Sequence, residues 1–253
     1  MQLNVYKTPK ATGVAAAKAA AARLREAIST RGKANLIVAT GASQFEMLKQ
    51  LIREPRVDWK KVTGFHLDEY LDMKDDHPAS FRRYLRERFV RHVPLKAFHF
   101  VNGDSPNGQS ECKRLGAILK KHPIDVACIG IGENGHLAFN DPPADFDTTE
   151  PFLVVNLDEG CRRQQYGEGW FKTLADVPRQ AISMSIRQIL AAQTLIVTVP
   201  DARKADAVKG CIDGELTNRC PASILRLHAD CRLFLDEPAA GKLSVRWACR
   251  PRK

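Results

Sequence analysis

Two hydrophobic periods take turns along this chain. Short apolar runs bounded by turn residues alternate with longer stretches in which apolar side chains recur every three or four positions. Ala11–Ser29 is built of strong helix formers and ends at Arg31-Gly32, a stop signal. Asn35–Ala39 gives a short buried strand, followed by a periodic helix over Phe45–Ile52. Val62–Leu67 predicts a strand and Ala79 to about Val90 a helix, with Pro78 suited to its first turn. Ala97–Val101, Ile124–Ile129, Phe152–Leu157, Ala181–Ile186, Thr194–Val199 and Cys231–Leu235 read as further strands. Between them, Gln109–Lys121, Glu159–Phe171, Gln188–Ala192 and Asp201–Asp213 read as helices. Such alternation predicts an α/β protein: a mostly parallel sheet with helices on both faces. No repeat, linker or composition break divides it, so 1–253 is expected to be one domain.

Charge and cysteine content narrow the function. The formal net charge is +10 with a pI near 9.4, which would suit nucleic acid, an acidic membrane or an anionic metabolite. The basic residues are scattered, however, in small clusters such as Lys60-Lys61, Lys120-Lys121, Arg162-Arg163 and the tail Arg250–Lys253, and no nucleic-acid motif accompanies them. A small phosphorylated substrate fits better than nucleic acid. Seven cysteines form no C-x-x-C pair and no metal-type spacing. They are read as reduced thiols of a cytoplasmic protein, with no metal. No apolar run approaches the roughly 18 residues needed to span a bilayer, and Val14–Leu24, interrupted by Lys18, reads as a helix and not as a signal sequence.

Chemistry-bearing residues gather where strands end. Gly130, Gly132 and Gly135 spell G-x-G-x-x-G after a strand, the fingerprint of a dinucleotide-binding turn, and Asp158 lies about where a ribose-binding acid falls. That reading requires a long helix opening at the third glycine. Pro142 and Pro143 leave it no room, and no cofactor is expected. The glycines are read instead as a sharp turn that presents His136. Thr40-Gly41-Ala42-Ser43 joins a strand to a helix and offers two readings: an anion-binding turn at a helix N-terminus, or a simple helix cap by Ser43. Asp68-Glu69-Tyr70 follows the Val62–Leu67 strand, at the edge where open parallel sheets bind ligands. Arg203 and Lys204 occupy the first turn of a helix, against the usual dipole preference, as an anion docked there would explain.

With Phe65–Tyr70, His77–Phe81 and Gly130–Pro142 in view, the chain resembles the glucosamine-6-phosphate deaminase family, within the larger sugar-phosphate isomerase and lactonase superfamily. The resemblance runs over nearly the whole chain. It implies a doubly wound, Rossmann-like sheet that uses no nicotinamide. It also implies a reaction that opens a hexosamine-phosphate ring, isomerises aldose to ketose and releases ammonia. His136 matches the family's ring-opening histidine and Asp68 its proton-transferring base. The Thr40–Ser43 turn (Thr40, Gly41, Ala42, Ser43) and Lys204 match its phosphate site, and Glu69, Gly135 and Arg163 are carried with the substrate-binding set. Where the family has an aspartate two positions before the histidine and a glutamate five after, this chain has Asn134 and Asp141. Asparagine can orient an imidazole through its carbonyl but supplies no charge, and Asp141 is one methylene shorter.

Two other classes of function compete. A 6-phosphogluconolactonase would use a histidine to activate water; Tyr70, where that branch tends to carry arginine, and Ala138-Phe139-Asn140 count against it. A non-catalytic sugar-phosphate-binding regulator is suggested only by Asn134. Whether the chain forms a homo-oligomer is left open by the sequence.

Overall fold

In the computed structural model, residues 1–244 are described; Cys249 and the basic cluster Arg250–Lys253 lie outside them. In chain order the elements are β1 (Gln2–Tyr6), α1 (Pro9–Arg31), β2 (Ala34–Val38), α2 (Phe45–Leu51), β3 (Val62–His66), β4 (Asp68–Tyr70), α3 (Phe81–Arg88), β5 (Ala97–His99) and α4 (Gly108–Leu119). There follow β6 (Val126–Ile129), β7 (Phe152–Asn156), α5 (Glu159–Gly167), β8 (Gln180–Met184), α6 (Ile186–Leu190), β9 (Thr194–Val199), α7 (Ala205–Asp213), β10 (Cys231–Asp236) and α8 (Glu237–Ala240).

Seven strands form one sheet in the order β1-β10-β9-β6-β2-β3-β5, and every pairing in it is parallel. β2, β3, β6 and β9 are buried at every position, the mark of strands covered on both faces. Alternate residues serve opposite layers: Leu36 and Val38 pack with α1 and α2, while Ile37 packs with α4, α6 and α7. The winding reverses between β2 and β6. From β2 the chain builds outward through β3 to β5, and from β6 it builds the other way through β9 to β10. The loops leaving β2 and β6 therefore part in opposite directions and leave a crevice between them.

The structure departs from the sequence reading in three places. Asp68–Tyr70 does not continue β3. The chain bends at Leu67, and β4 joins a separate three-stranded antiparallel sheet, β4-β8-β7. The Phe152–Leu157 and Ala181–Ile186 strands thus lie outside the parallel sheet. An aromatic cluster of Tyr70, Phe81, Phe139 and Phe171 packs against this small sheet and makes its own core. β1, unforeseen, adds an edge strand beside β10 through Leu3 and Val5, its brevity hiding the alternation. α1 starts at Pro9, whose fixed φ suits the first helical position, with the Thr8 side chain accepting from the Ala11 amide.

α1 owes its close approach to α2 to small residues. A Cβ on Gly13 would lie 2.7 Å from both the Glu46 Cβ and the Met47 backbone nitrogen. Gly13→Ala should therefore lose about 1–3 kcal/mol from overpacking, outweighing the gain of about 0.5–1 kcal/mol that alanine brings to a helix. Urea unfolding checks the sign; an unchanged or stabilised variant would contradict this packing.

Candidate active site

A cavity of about 220 Å³ opens at the C-terminal edge of the sheet, at the winding reversal. Four loops line it: Ala39–Ser43 after β2, Leu67-Asp68 after β3, Gly130–Gly132 with His136 after β6, and Pro200–Lys204 after β9. Gln164, Gln165 and Glu168 reach it from α5 and the residue after its end. Two non-glycine residues with positive φ, Ala138 (φ 52°) and Asp201 (φ 91°), stand at its walls beside Gly41 (φ 93°). Strain of this kind persists where surrounding contacts over-determine the loop, and here the Asp201 amide donates to both carboxylate oxygens of Asp236 at 3.1 Å.

Asp68 and Glu69 are neighbours in a strand and so point to opposite faces. Glu69 is fully buried and accepts from the amides of Tyr70, Phe81 and Arg82 and from the Ser80 hydroxyl, at 2.8–3.2 Å. It ties β4 to the start of α3. This corrects its assignment to the substrate: it does not line the cavity. Its anchoring directs Asp68 the other way, onto the cavity wall. Asp68 is only 5% exposed. Burial pushes its carboxyl up to about 8, and the Glu69 charge adds to the shift.

His136 is buried against Gly132. A Cβ on Gly132 would fall 2.2 Å from the imidazole Cε1 and Nε2, so only glycine leaves room for the ring. Gly135, expected in the substrate set, is instead a turn residue (φ 85°) outside the cavity lining; its carbonyl accepts from the Ala222 amide. Behind the ring, His136 Nδ1 lies 3.1 Å from Asp141 Oδ1, close enough to share charge but off the line of a regular hydrogen bond. Burial raises the Asp141 carboxyl, but the His136 contact and charge, the Asp158 amide and the Asn134 side chain outweigh it and hold Asp141 below the usual carboxylate range. Asn134 does not orient the imidazole directly. Its carbonyl accepts from the His136 backbone amide, and its Nδ2 donates to Asp141 Oδ1 at 3.1 Å and to Asp158 Oδ2 at 3.2 Å. Asp158, in turn, caps α5 by accepting from the Cys161 amide. Asn134 and Asp141 thus stand behind the histidine and not in the cavity. Beyond Gly135 the chain forms a turn and a bridge, Leu137 with Asn140, and no helix as far as β7, as the two prolines require.

The opposite wall is cationic. Lys204 is buried, and desolvation lowers its pKa while the carboxylates of Glu133 and Glu168 push it back up. Arg203 is half-exposed, pairing with Asp201 at 3.0 Å and Glu133 at 3.5 Å. Thr40, Gly41, Ala42 and Ser43 face this pair across the cavity. A single 3-10 turn, Ala42–Gln44, follows Gly41 and makes no side-chain cap bond, nor does the Gln44 cap of α2. Ser43 therefore makes no cap bond to either helix, and Thr40–Ser43 line the cavity. Arg163 is displaced from the substrate set: it is exposed on α5, pairs with Glu159 and lies outside the cavity. Arg162 donates to the Leu174 and Val177 carbonyls. Among the described residues the arginine lining the cavity is Arg203, not the Arg162 or Arg163 that the resemblance had suggested.

Residues 7–233 match the profile of the family described as glucosamine-6-phosphate isomerases/6-phosphogluconolactonase. Over 239 residues the chain is 33% identical to a glucosamine-6-phosphate deaminase of Bacillus cereus, covering 94% of this chain and 88% of that one. A counterpart of the same name from Bacillus anthracis is 32% identical over the same span. Among solved structures, a monomeric glucosamine-6-phosphate deaminase superimposes with a TM-score of 0.86 at 29% identity, covering 95% of this chain and 99% of that one. A 6-phosphogluconolactonase from Shewanella baltica superimposes with a TM-score of 0.77 at 19% identity, over 93% and 97% of the two chains, a likeness of fold.

The cationic wall predicts an anion site that can be assayed without turnover. Inorganic phosphate should bind there, and Lys204→Met should weaken it by about tenfold to a hundredfold, the loss of a charged hydrogen bond worth about 1.5–3 kcal/mol. Arg163→Ala should leave binding unchanged. Calorimetric titration separates the two; an effect of Arg163→Ala equal to that of Lys204→Met would move the anion to α5.

Proposed function

The chain belongs to the family of glucosamine-6-phosphate isomerases and 6-phosphogluconolactonases, and we propose that its reaction is the deamination of glucosamine-6-phosphate to fructose-6-phosphate and ammonia. What favours this reading is the combination, in one small cavity, of a buried carboxyl, a carboxylate-backed imidazole and a cationic wall. The first two suit proton transfers at adjacent sugar carbons and at a ring oxygen, and the third suits a phosphate.

The phosphate docks between Lys204, Arg203 and the Thr40–Ser43 turn, which fixes the sugar by its far end. His136, oriented through Asp141, exchanges a proton with the ring oxygen and opens the ring to the aldehyde. The Asp68 carboxylate then takes the proton from C2, forming a 1,2-enolamine, and returns it to C1, leaving an imine at C2. Water adds to C2 and the C–N bond breaks, releasing ammonia and the ketose. In the free enzyme the raised Asp68 carboxyl is protonated at neutral pH. The ammonium group of the arriving substrate favours its ionised form by proximity, so the base is generated where it is needed. Carbon–hydrogen cleavage benefits from a base of raised pKa, because a stronger base accepts the proton more readily. The proposed partner is this sugar phosphate alone; size-exclusion chromatography tests whether the chain, like the solved relative described as monomeric, acts as a single copy.

Purified protein should release ammonia and fructose-6-phosphate from glucosamine-6-phosphate in equal amounts and leave 6-phosphogluconolactone untouched. Lactone hydrolysis without ammonia release would replace this assignment. The acidic limb of kcat/KM should fall near pH 8, where free Asp68 ionises; a limb near pH 4 would remove Asp68 as the base.

The same shift sets a stability test. In the unfolded chain the carboxyl ionises near 3.8, whereas the fold holds it neutral up to about 8, so the cost of keeping Asp68 grows as pH rises from about 4 to about 8 and is level above. Asp68→Asn should abolish turnover and yet raise Tm at about pH 9, by about 2–4 °C per kcal/mol recovered, with no gain at about pH 4. Calorimetric melts at the two pH values check this; equal shifts at both would mean that Asp68 is not held neutral.

A further inference from the structure

The face of His136 turned away from the cavity carries a second kind of chemistry. A ring nitrogen of His136, a carboxylate oxygen of Asp141 and the Sγ of Cys161 all lie within 4.8 Å of one another, and it is Nδ1 that faces Asp141. The three side chains are deeply buried: 9% exposed for His136, 5% for Asp141 and 1% for the Cys161 residue. Nδ1 makes no aligned hydrogen bond, although Asp141 Oδ1 is 3.1 Å away, so a buried nitrogen faces the group with its bonding capacity incompletely used. Cys161 is held in place from the backbone by the Asp158 cap on the first turn of α5.

We propose that His136, Asp141 and Cys161 form an inhibitory site for Zn²⁺. Nitrogen, oxygen and sulfur donors together suit this borderline-soft ion and not the hard cations Mg²⁺ and Ca²⁺, which take oxygen ligands. Zinc bonds of about 2.0–2.3 Å in tetrahedral geometry place donor atoms about 3.3–3.8 Å apart. His136 and Asp141 are already near that separation, and Cys161, within 4.8 Å of both, must close by at most about 1–1.5 Å. The fourth position is left for water. Cys161 enters as a thiol; on binding, its S–H bond breaks, a Zn–S bond forms and the proton passes to solvent. Zinc then occupies the Nδ1 lone pair and the Asp141 oxygen that orients the ring, so the imidazole can no longer take the tautomer that ring opening needs. The inhibition rests on the role given to His136 above; the binding does not.

Cobalt(II) titration of the full chain reads the binding directly. One Co²⁺ per chain should produce a thiolate-to-metal charge-transfer band, displaced by Zn²⁺, absent in Cys161→Ser and retained in Cys220→Ser, whose thiol lies beside Gly135 but outside the group. X-ray absorption of Zn²⁺-loaded wild-type protein, which needs no variant to fold, should show one sulfur ligand at about 2.3 Å. In the ammonia-release assay Zn²⁺ should inhibit the wild type, and Cys161→Ser should need more than about tenfold more Zn²⁺ for the same effect, the floor for disturbing a metal site. A cobalt band that survives in Cys161→Ser, or a zinc site without sulfur, overturns the site. Binding as expected without inhibition overturns only its inhibitory role.

Discussion

A carboxylate that never touches the cavity governs how the cavity is built. Glu69 is sealed in the interior and satisfied by three backbone amides and a hydroxyl, with the Arg82 guanidinium 3.7 Å away. A buried acid without such donors would be strongly unfavourable, so β4 and the start of α3 are locked to one another. Because strand side chains alternate, fixing Glu69 inward fixes Asp68 outward, toward the C-terminal edge of the sheet. The price of that arrangement falls on Asp68, which is desolvated beside another acid with no cation to offset it. The same desolvation makes it a stronger base than an exposed aspartate, as the proposed proton transfer requires.

The winding reversal between β2 and β6 supplies what the anchor does not. Loops diverging at that point bring Thr40–Ser43 and Gly130–Gly132 to one space. The β9 loop then brings Lys204 and Arg203 to the same rim. An anion is thereby met by two cations, one of them largely desolvated. Glu133 and Glu168 offset part of the charge of those cations.

His136 is held from behind by a chain of contacts that ends on a helix: Asp141 to Asn134, Asn134 to Asp158, and Asp158 to the first turn of α5. Asn134 links two acids through one amide group. An aspartate there would place a third negative charge among them, so the departure from the family pattern lowers repulsion while leaving Asp141 as the charged partner of the imidazole. Since α5 and the residue beyond it also carry Gln164, Gln165 and Glu168 to the cavity, the orientation of the histidine and the shape of the substrate wall share one support.

The sequence by itself determined the layered α/β architecture, because burial on both faces demands continuous apolar strands and alternating helices. Pro142 and Pro143 also left no room for a helix after Gly135, and none forms there before β7. Asp68, His136, Lys204 and the Thr40–Ser43 turn were marked by the family resemblance and by their place at strand ends, and the structure brings them to one cavity. Only the tertiary structure decided which of two adjacent acids faces the cavity, that Gly132 and not Gly135 makes room for the imidazole, and that Arg203 and not Arg163 stands at the anion wall. It alone moved Phe152–Asn156 and Gln180–Met184 into an antiparallel sheet with Asp68–Tyr70. The physical reason is common to all four: residue type and spacing fix what a side chain can do and how local backbone folds, whereas the direction in which it points depends on partners distant in sequence, such as Ser80 and Arg82 for Glu69 or Glu159 for Arg163.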